Sequence, residues 1–205
     1  MKQSQILTTA LVAFSALVLN CGQKPAQLAG DAYPVAKASG TNFNLDVNQS
    51  KIEWIGAKVS MKHNGLVNLK SGNLSAKGGE ITSGKFIIDL PSLVNSDLEG
   101  TWKAKLEGHL KSEDFFNVEK FPEAIFEIAS VTKADKGYDV RGNLTIKGIT
   151  KGISFPAEIQ FEGEKPVSAK AKAVINRKDW GIVYPGMPDD LISDTVEFNL
   201  NLVTQ

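Results

Sequence analysis

The sequence predicts an all-β protein, an antiparallel β-barrel of about eight strands with one short helix, preceded by an export segment. Apolar and polar residues alternate through most of the chain from Phe43 onwards, as in half-buried strands. Glycine-rich turn motifs separate these runs, so the connections are short enough for antiparallel neighbours. An apolar run at residues 6–19 has the length of a signal-peptide core and is too short for a bilayer-spanning helix.

Residues 1–20 form the predicted signal peptide, of the lipoprotein type. Lys2 precedes the apolar run, and Cys21, the single cysteine of the chain, follows it. Residues 17–22, with the sequence LVLNCG, resemble the lipobox of bacterial lipoproteins, in which the cysteine is acylated and becomes the mature N-terminus. Asn20 stands where alanine, glycine or serine is usual, so a plain signal peptide with a chance cysteine is the alternative. We expect an exported lipoprotein of the periplasm or outer membrane, anchored through Cys21.

Residues 21–41 are predicted to be a lipid-anchored flexible linker. Alanine, glycine, glutamine, proline and serine are abundant there, and no periodic apolar pattern appears. A flexible chain of this length has an r.m.s. reach on the order of 25 Å, so the anchor need not touch the fold. The barrel domain is predicted to occupy residues 42–205.

The predicted strands follow from a period of two. Phe86, Ile88 and Leu90 share one parity, and Gly84 is interpreted as the preceding turn. The same period recurs at Phe126 and Ile128; at Tyr138, Val140, Leu144 and Ile146; at Ile153, Phe155, Ile159 and Phe161; and at Val196, Phe198, Leu200 and Leu202. Turns are predicted at Gly72-Asn73, Gly78-Gly79, Asp135-Lys136-Gly137, Lys147-Gly148 and residues 162–166. Such a meander favours a closed barrel, with a sandwich as the alternative.

One stretch breaks the strand pattern. Trp102, Leu106 and Leu110 fall at four-residue spacing among charged residues, which predicts a short amphipathic helix.

Four segments of the domain carry distinctive motifs. They are residues 105–122 (KLEGHLKSEDFFNVEKFP), 142–150 (GNLTIKGIT), 176–182 (NRKDWGI) and 54–58 (WIGAK), the last followed by His63. These segments resemble those of the YceI-like family and occur in the family's order over most of the domain. The resemblance implies a lipocalin-like antiparallel barrel with a helical segment around an elongated apolar tunnel. It also implies binding of polyisoprenoids or other long-chain amphiphiles.

The inward-facing residues are the candidates for the tunnel wall. They are Phe86, Ile88, Phe126, Ile128, Leu144, Ile146, Phe155, Phe198 and Leu200. Ordinary core packing is an equal alternative for each, because small barrels are largely filled with side chains. Phe115, Phe116 and Phe121 form a dense aromatic group in a connection, where they either cover one mouth of the barrel or anchor the loop.

Three polar residues are candidates for contact with a ligand head group. His63, His109 and Arg177 lie at family-like positions, and Arg177 has the fork geometry for a phosphate or carbonyl. Structural hydrogen bonding is the alternative for all three. The two histidines are far apart in sequence, with no ligand cluster nearby, so neither a metal nor a cofactor is predicted.

The predicted function is to bind an isoprenoid lipid, a quinone or another long-chain amphiphile. The predicted partners are therefore an apolar small molecule and, through the anchor, a membrane. The 23 basic and 23 acidic residues are mixed, which excludes the basic surface of a nucleic-acid binder. One alternative is a structural or surface-interaction lipoprotein with a filled barrel. A lipid-acting hydrolase is less favoured, because no Gly-x-Ser-x-Gly or His-Glu-x-x-His motif is present, and we predict no enzyme.

Overall fold

The computed structural model describes residues 29–205, so the predicted signal peptide, Cys21 and the first part of the linker lie outside the described residues. The elements are β1 (Thr41–Asn44), β2 (Lys51–Ala57), β3 (Lys62–Lys77), β4 (Glu80–Asn95), α1 (Gly100–Lys111), β5 (Glu123–Lys133), β6 (Tyr138–Ile146), β7 (Ile149–Glu162), β8 (Lys165–Asn176), a 3₁₀ helix (Arg177–Trp180), β9 (Gly186–Met187), β10 (Asp190–Leu191) and β11 (Thr195–Val203). Within residues 29–205, no helix is both long and apolar enough to cross a membrane.

Eight strands close into an antiparallel barrel. From β2 to β8 each strand pairs with the next one in the chain, and β11 pairs with both β8 and β2. Every long strand therefore has two neighbours, and the short β1 pairs with the second half of β3, beyond the part that pairs with β2. The predicted lipocalin-like barrel with one short helix is confirmed, and the sandwich alternative is excluded.

Two of the hairpin turns have the backbone conformation that their glycine motifs predict. Gly78 and Gly79 have φ values of 60° and 75°, and Lys147 and Gly148 have 50° and 75°. Two-residue loops with positive φ at both positions match the twist of antiparallel strands, and glycine adopts them without strain. These turns are where the sequence predicts them, as are those at residues 134–137 and 163–164.

Two predicted turns are wrong. Gly72-Asn73 lies inside β3 and Gly84 lies inside β4, and both strands continue past them. The glycines are needed for close packing: a Cβ atom at Gly72 would lie 2.8 Å from Leu45 Cδ1, and one at Gly84 would lie 2.8 Å from Ile128 Cδ1. Glycine inside a strand marks such a close approach as often as it marks a turn.

Helix α1 lies over one end of the barrel, between β4 and β5, and we call this end the helix end. Leu106 and Leu110 contact the barrel core while Trp102 is exposed, as an amphipathic helix requires. No residue of the helix is fully buried. The Asn95 amide of β4 donates to Glu107 Oε1 at 2.7 Å and so ties the helix to the barrel.

Residues 29–41, the second part of the predicted linker, lie along the outside of the barrel. Gly30 and Gly152 exchange two backbone hydrogen bonds of 2.9 and 3.0 Å. The buried Asn143 side chain accepts from the Tyr33 amide at 2.8 Å and donates to the Tyr33 carbonyl at 2.9 Å. The segment therefore crosses β7 and β6 as an ordered strap.

The expected unattached tether thus does not apply from residue 29 onwards. A Cβ atom at Gly152 would lie 2.4 Å from the Asp31 carbonyl oxygen, so the barrel surface is shaped for the segment. Further along, the Ser39 carbonyl accepts from the Thr82 hydroxyl at 2.6 Å. The composition of residues 29–41 indicated a solvated linker, whereas the segment contacts the barrel mainly through backbone groups. Composition carries no information about backbone hydrogen bonds.

Candidate ligand-binding site

The inward side chains of the barrel leave a cavity of about 530 Å³. The structure places every predicted tunnel residue on its wall, because alternate residues of each strand face the same side. The wall includes Phe86, Ile88, Phe126, Ile128, Leu144, Ile146, Phe155, Phe198 and Leu200 from the strands, with Phe115 and Phe116 from the connection after α1. That they contact a ligand stays a prediction.

These wall residues differ in how closely they are packed. Phe86, Ile128, Ile146 and Phe155 are buried and belong to two clusters of close-packed side chains. Between the clusters lie half-buried side chains that contact both. They are Ile88, Leu110, Phe116, Phe126, Val131, Phe198 and Leu200. All seven line the cavity, five from the inward faces of strands, Leu110 from α1 and Phe116 from the connection after it.

Small residues on β8 explain why the barrel is not filled. Ala169, Ala171 and Ala173 form its inward row, and Lys170 and Lys172 point out. A row of alanines opposite aromatic and aliphatic side chains leaves space that larger residues would occupy. The sequence analysis missed this row, although the alternation of alanine and lysine was its signal.

The cavity opens at the helix end. Among its wall residues, Trp102 of α1 is 70% exposed and Met187 of the β9–β10 hairpin is 62% exposed. At the opposite end the wall residues Leu45 and Leu74 are 3% and 6% exposed, and Pro166 is fully buried. The cavity is therefore accessible from solvent between α1 and the hairpin.

His63 lies at the helix end, where it lines the cavity. Its Nδ1 lies 2.7 Å from Asp97 Oδ2, and Asp97 Oδ1 accepts from the Asn64 amide at 2.8 Å and from the Asn95 side chain at 2.6 Å. Burial opposes ionisation of Asp97, but these hydrogen bonds outweigh it, so the pKa of Asp97 is lowered. The carboxylate therefore holds the His63 ring in a fixed orientation at the cavity mouth.

His109 of α1 reaches the same mouth from the other side. Its Nε2 lies 2.9 Å from Asp114 Oδ2, and its ring packs edge-on against Phe115 and Tyr184 at centroid distances of 4.9 and 4.8 Å. Tyr184 also lines the cavity, and the sequence analysis missed it because it lies in an irregular segment. Both histidines thus line the same cavity, although they are far apart in the sequence.

The dense aromatic group divides between the two predicted roles. Phe115 and Phe116 line the cavity beneath α1, with Phe115 only 7% exposed. Phe121 does not line it, and the Lys120 ammonium lies 5.3 Å from the centroid of its ring. Phe121 is therefore an anchor of its loop and not part of a lid.

Arg177 is 3% exposed, and its guanidinium faces backbone carbonyls. It donates to the carbonyl oxygens of Ile182, Ser193 and Ile192 at 2.7, 2.9 and 3.2 Å. Burial lowers its pKa, and the charge of Asp194 opposes that change. These donors are already used, so the structure favours the hydrogen-bonding alternative for Arg177 over contact with a head group.

Across residues 29–205, no group of three or more histidine, cysteine, aspartate or glutamate side chains is arranged to hold a metal ion.

A closed eight-stranded antiparallel barrel around an apolar cavity, with a helix beside the mouth, defines the lipocalin-like class of barrels. The chain belongs to the YceI-like family, since the family model described as "YceI-like domain" matches residues 43–204. Protein YceI of Salmonella arizonae is 36% identical over 94 residues, which cover 43% of this chain and 49% of that protein. Protein YceI of Salmonella newport matches to the same extent, so the chain spans about half the length of the curated relatives it matches.

Two solved structures share the fold. BcnA of Burkholderia cenocepacia has a TM-score of 0.64 at 20% identity, covering 78% of this chain and 99% of that one. A polyisoprenoid binding domain from Saccharophagus degradans, implicated in plant cell wall breakdown, has a TM-score of 0.59 at 17% identity, covering 84% and 99%. At these identities the likeness concerns the fold.

Proposed function

We propose that the protein binds one long apolar molecule in the barrel, an isoprenoid lipid, a quinone or another long-chain amphiphile, and shields it from water. The observation that carries the proposal is the apolar cavity of about 530 Å³ with a single open end. Its volume lies within the roughly 300–1,000 Å³ of small-molecule pockets. The polyisoprenoid binding domain of Saccharophagus degradans, which shares the fold, supports this ligand class.

The free energy of burial is sufficient for a short stretch of isoprenoid. Each buried methylene contributes about 0.8 kcal/mol, so a five-carbon unit contributes on the order of 3 to 4 kcal/mol. Three units exceed the roughly 8 kcal/mol of a micromolar complex before the costs of association and ordering are subtracted. The cavity therefore needs to hold only part of a long tail.

The polar end of the ligand is proposed to lie at the mouth. His63 and His109 are the imidazoles that line the cavity there, and each is oriented by a carboxylate, Asp97 or Asp114. An imidazole held in this way presents a hydrogen-bonding group to a hydroxyl, carbonyl or phosphate. We propose binding and not catalysis, because both oriented imidazoles face an apolar channel suited to holding a tail.

A filled barrel with a purely structural role is the alternative that the cavity argues against. The alanine row of β8, at Ala169, Ala171 and Ala173, keeps the space open where a filled barrel would place larger side chains. A carrier function explains that row, and a structural function does not.

The test is to fill the cavity and measure binding. Ala171→Phe places a ring inside the barrel, whereas Lys170→Phe places the same ring on the outer face of β8. Both variants and the wild type are titrated with a fluorescent fatty acid and with a polyprenol. We expect Ala171→Phe to weaken binding at least about tenfold, because it displaces two or more methylenes of the ligand, and Lys170→Phe to bind as wild type.

Two outcomes would count against the carrier function. No binding to the wild type at tens of micromolar would remove the proposal. Equal binding by all three proteins would place the ligand outside the cavity. Circular dichroism and thermal melts check that both variants keep the barrel.

We further propose that the protein is an exported lipoprotein acylated at Cys21 and located in the periplasm or at the outer membrane. The apolar run at 6–19 and the LVLNCG sequence at 17–22 support this proposal. Metabolic labelling with radioactive palmitate should mark the wild type and not Cys21→Ala. Label in both proteins, or in neither, would contradict acylation at this cysteine.

A further inference from the structure

We propose that the helix end of the barrel docks on a lipid bilayer through an apolar rim, so that the cavity opens directly into the membrane. This inference rests on the proposed lipid-binding function. It names the surface from which the ligand enters, which the cavity alone does not reveal.

The rim is a group of exposed apolar side chains around the mouth. It comprises Val59 (76% exposed) and Met61 (48%) of the β2–β3 turn, Trp102 (70%) of α1, Val183 (63%), and Met187 (62%) and Leu191 (51%) of the β9–β10 hairpin. Of the other exposed large apolar residues of the described chain, Ile149 lies at the start of β7, also at the helix end, and Leu66 and Val94 are paired on β3 and β4. Val35 lies on the strap. Exposed apolar groups concentrated around a ligand entrance indicate a surface that meets a partner or a membrane.

The β2–β3 turn and the β9–β10 hairpin are fastened to each other. The Val59 amide donates to the Leu191 carbonyl at 3.1 Å, and Lys58 forms an ion pair with Asp190. Asp190 Oδ1 also accepts from the Ser60 amide at 3.0 Å. Val59 and Leu191 are therefore presented together on one supported surface.

The chemistry of the rim on the opposite side of the mouth fits a membrane interface. The Lys105 ammonium lies 5.0 Å from the centroid of the exposed Trp102 ring. Tryptophan is enriched at the headgroup level of bilayers, where its ring is partly in the apolar layer. A neighbouring lysine extends its charged end towards the headgroups and keeps its methylenes on the apolar side.

The N-terminal strap begins close to the helix end, so an anchor that precedes it would bring this end towards a membrane. Because successive strands alternate in direction, β7 begins at the helix end, and Gly30 pairs with Gly152 only three residues after that beginning, Ile149. Seven residues lie between Cys21 and Ala29, and the eight steps from one to the other span at most about 29 Å when fully extended. An acyl group on Cys21 therefore holds the helix end near the bilayer.

The test uses the exported protein carrying Cys21→Ala, so that no acyl chain attaches it to vesicles. Its three tryptophans are Trp54, Trp102 and Trp180, and the first and last are 6% and 0% exposed. Emission at long wavelength therefore reports on Trp102. With phosphatidylcholine vesicles, we expect this emission to shift to shorter wavelength and to be quenched when the acyl chains are brominated, and we expect Trp102→Phe to abolish both responses.

Two rim substitutions and one matched control test the surface itself. Val59→Asp and Leu191→Asp change exposed residues that do not line the cavity, and each should weaken vesicle binding at least about tenfold. Val35→Asp introduces the same charge at a residue that is 53% exposed on the strap, and it should bind vesicles as the parent does. Equal weakening by all three variants, or no change in Trp102 emission with vesicles, would overturn the proposal.

A spectral shift that appears on raising the protein concentration without vesicles would also overturn it, because the rim would then be covered by a second copy. Loading with polyprenol from cyclodextrin separates this inference from the proposed function. If the protein takes up polyprenol from cyclodextrin but does not bind vesicles, docking is refuted and the carrier function is not. A protein that binds vesicles but never takes up polyprenol refutes the carrier function alone.

Discussion

At the residue scale, the segment NRKDWGI at 176–182 fixes how the chain leaves the barrel. Arg177 holds the carbonyls of the following segment, and Trp180, with no exposed surface, donates from Nε1 to the Leu144 carbonyl at 3.0 Å. Gly181 ends the 3₁₀ helix with a φ of 70°, a conformation that favours glycine. These residues position the hairpin that forms one side of the mouth.

Replacing Arg177 should therefore reduce stability. Arg177→Ala leaves the carbonyls of Ile182, Ile192 and Ser193 without their donor in a buried site, and we expect a loss of about 3 kcal/mol in the free energy of unfolding. Urea denaturation measures it. Lys178→Ala removes an exposed partner of Asp194 and should cost less than about 1 kcal/mol. Similar losses for both variants would show that the buried carbonyl contacts are unimportant.

The sequence predicted the positions and contacts of some residues and not of others. Period two states which side of a strand a residue is on, so Phe126 and Leu200 could be assigned to the interior. The hydrogen-bond partners of Arg177 could not be predicted, because they are backbone carbonyls up to 16 residues away and every residue has such a group. The role of Ala171 was hidden because a small apolar residue gives a weak periodic signal.

At the element scale, the fastening between the β2–β3 turn and the β9–β10 hairpin controls one side of the mouth. The hydrogen bond from Lys58, followed by that from the Ser60 amide, lowers the pKa of Asp190 below its ordinary value. Because the folded pKa is the lower one, the ionised carboxylate stabilises the fastening above the unfolded pKa of about 3.9. That contribution is lost as the pH falls through the folded value.

Acid should therefore loosen the hairpin first. We expect amide exchange at residues 186–192 to accelerate below about pH 4, relative to the strands of the barrel, when measured by mass spectrometry with correction for the intrinsic pH dependence. Asp190→Asn should produce the same local acceleration at neutral pH. Asp189→Asn changes the exposed neighbour and should leave exchange unaltered. Uniform protection of the hairpin in Asp190→Asn would contradict this role of the carboxylate.

The helix and most hairpins could be predicted because their signals are local. Four-residue apolar spacing indicated α1, and two-residue glycine loops indicated the turns at 78–79 and 147–148. The short strands β1, β9 and β10 could not be predicted, since two to four residues carry too little periodicity. Gly72 and Gly84 were wrongly predicted as turns, because a glycine in the sequence marks either a turn or a close approach within a strand.

At the scale of the whole molecule, closure of the barrel and the uneven size of its inward side chains create the cavity. Closure gives every long strand two neighbours, and the alanine row of β8 faces larger side chains across the interior. The sequence supported closure through its strand count and short connections. It could not show that the cavity opens at one end only, because that depends on where α1, the hairpin and the buried Pro166 lie relative to one another.

The course of the strap is also a property of the whole molecule. Residues 29–41 use the buried side chain of Asn143 and the bare backbone of Gly152, which are register partners in the β6–β7 hairpin. Asn143 is 110 residues from Tyr33 in the chain, so the contact exists only in the folded molecule. Composition alone therefore suggested a free linker. Its attachment to the barrel places the start of the described chain close to the helix end.

The most direct test of the binding function is organic extraction and mass spectrometry of the protein purified without added lipid. We expect about one long-chain apolar molecule per wild-type protein, a similar amount with Lys170→Phe, and a strong reduction with Ala171→Phe. A wild-type protein that yields no apolar molecule and takes up no polyprenol would contradict the proposal that this cavity carries a lipid.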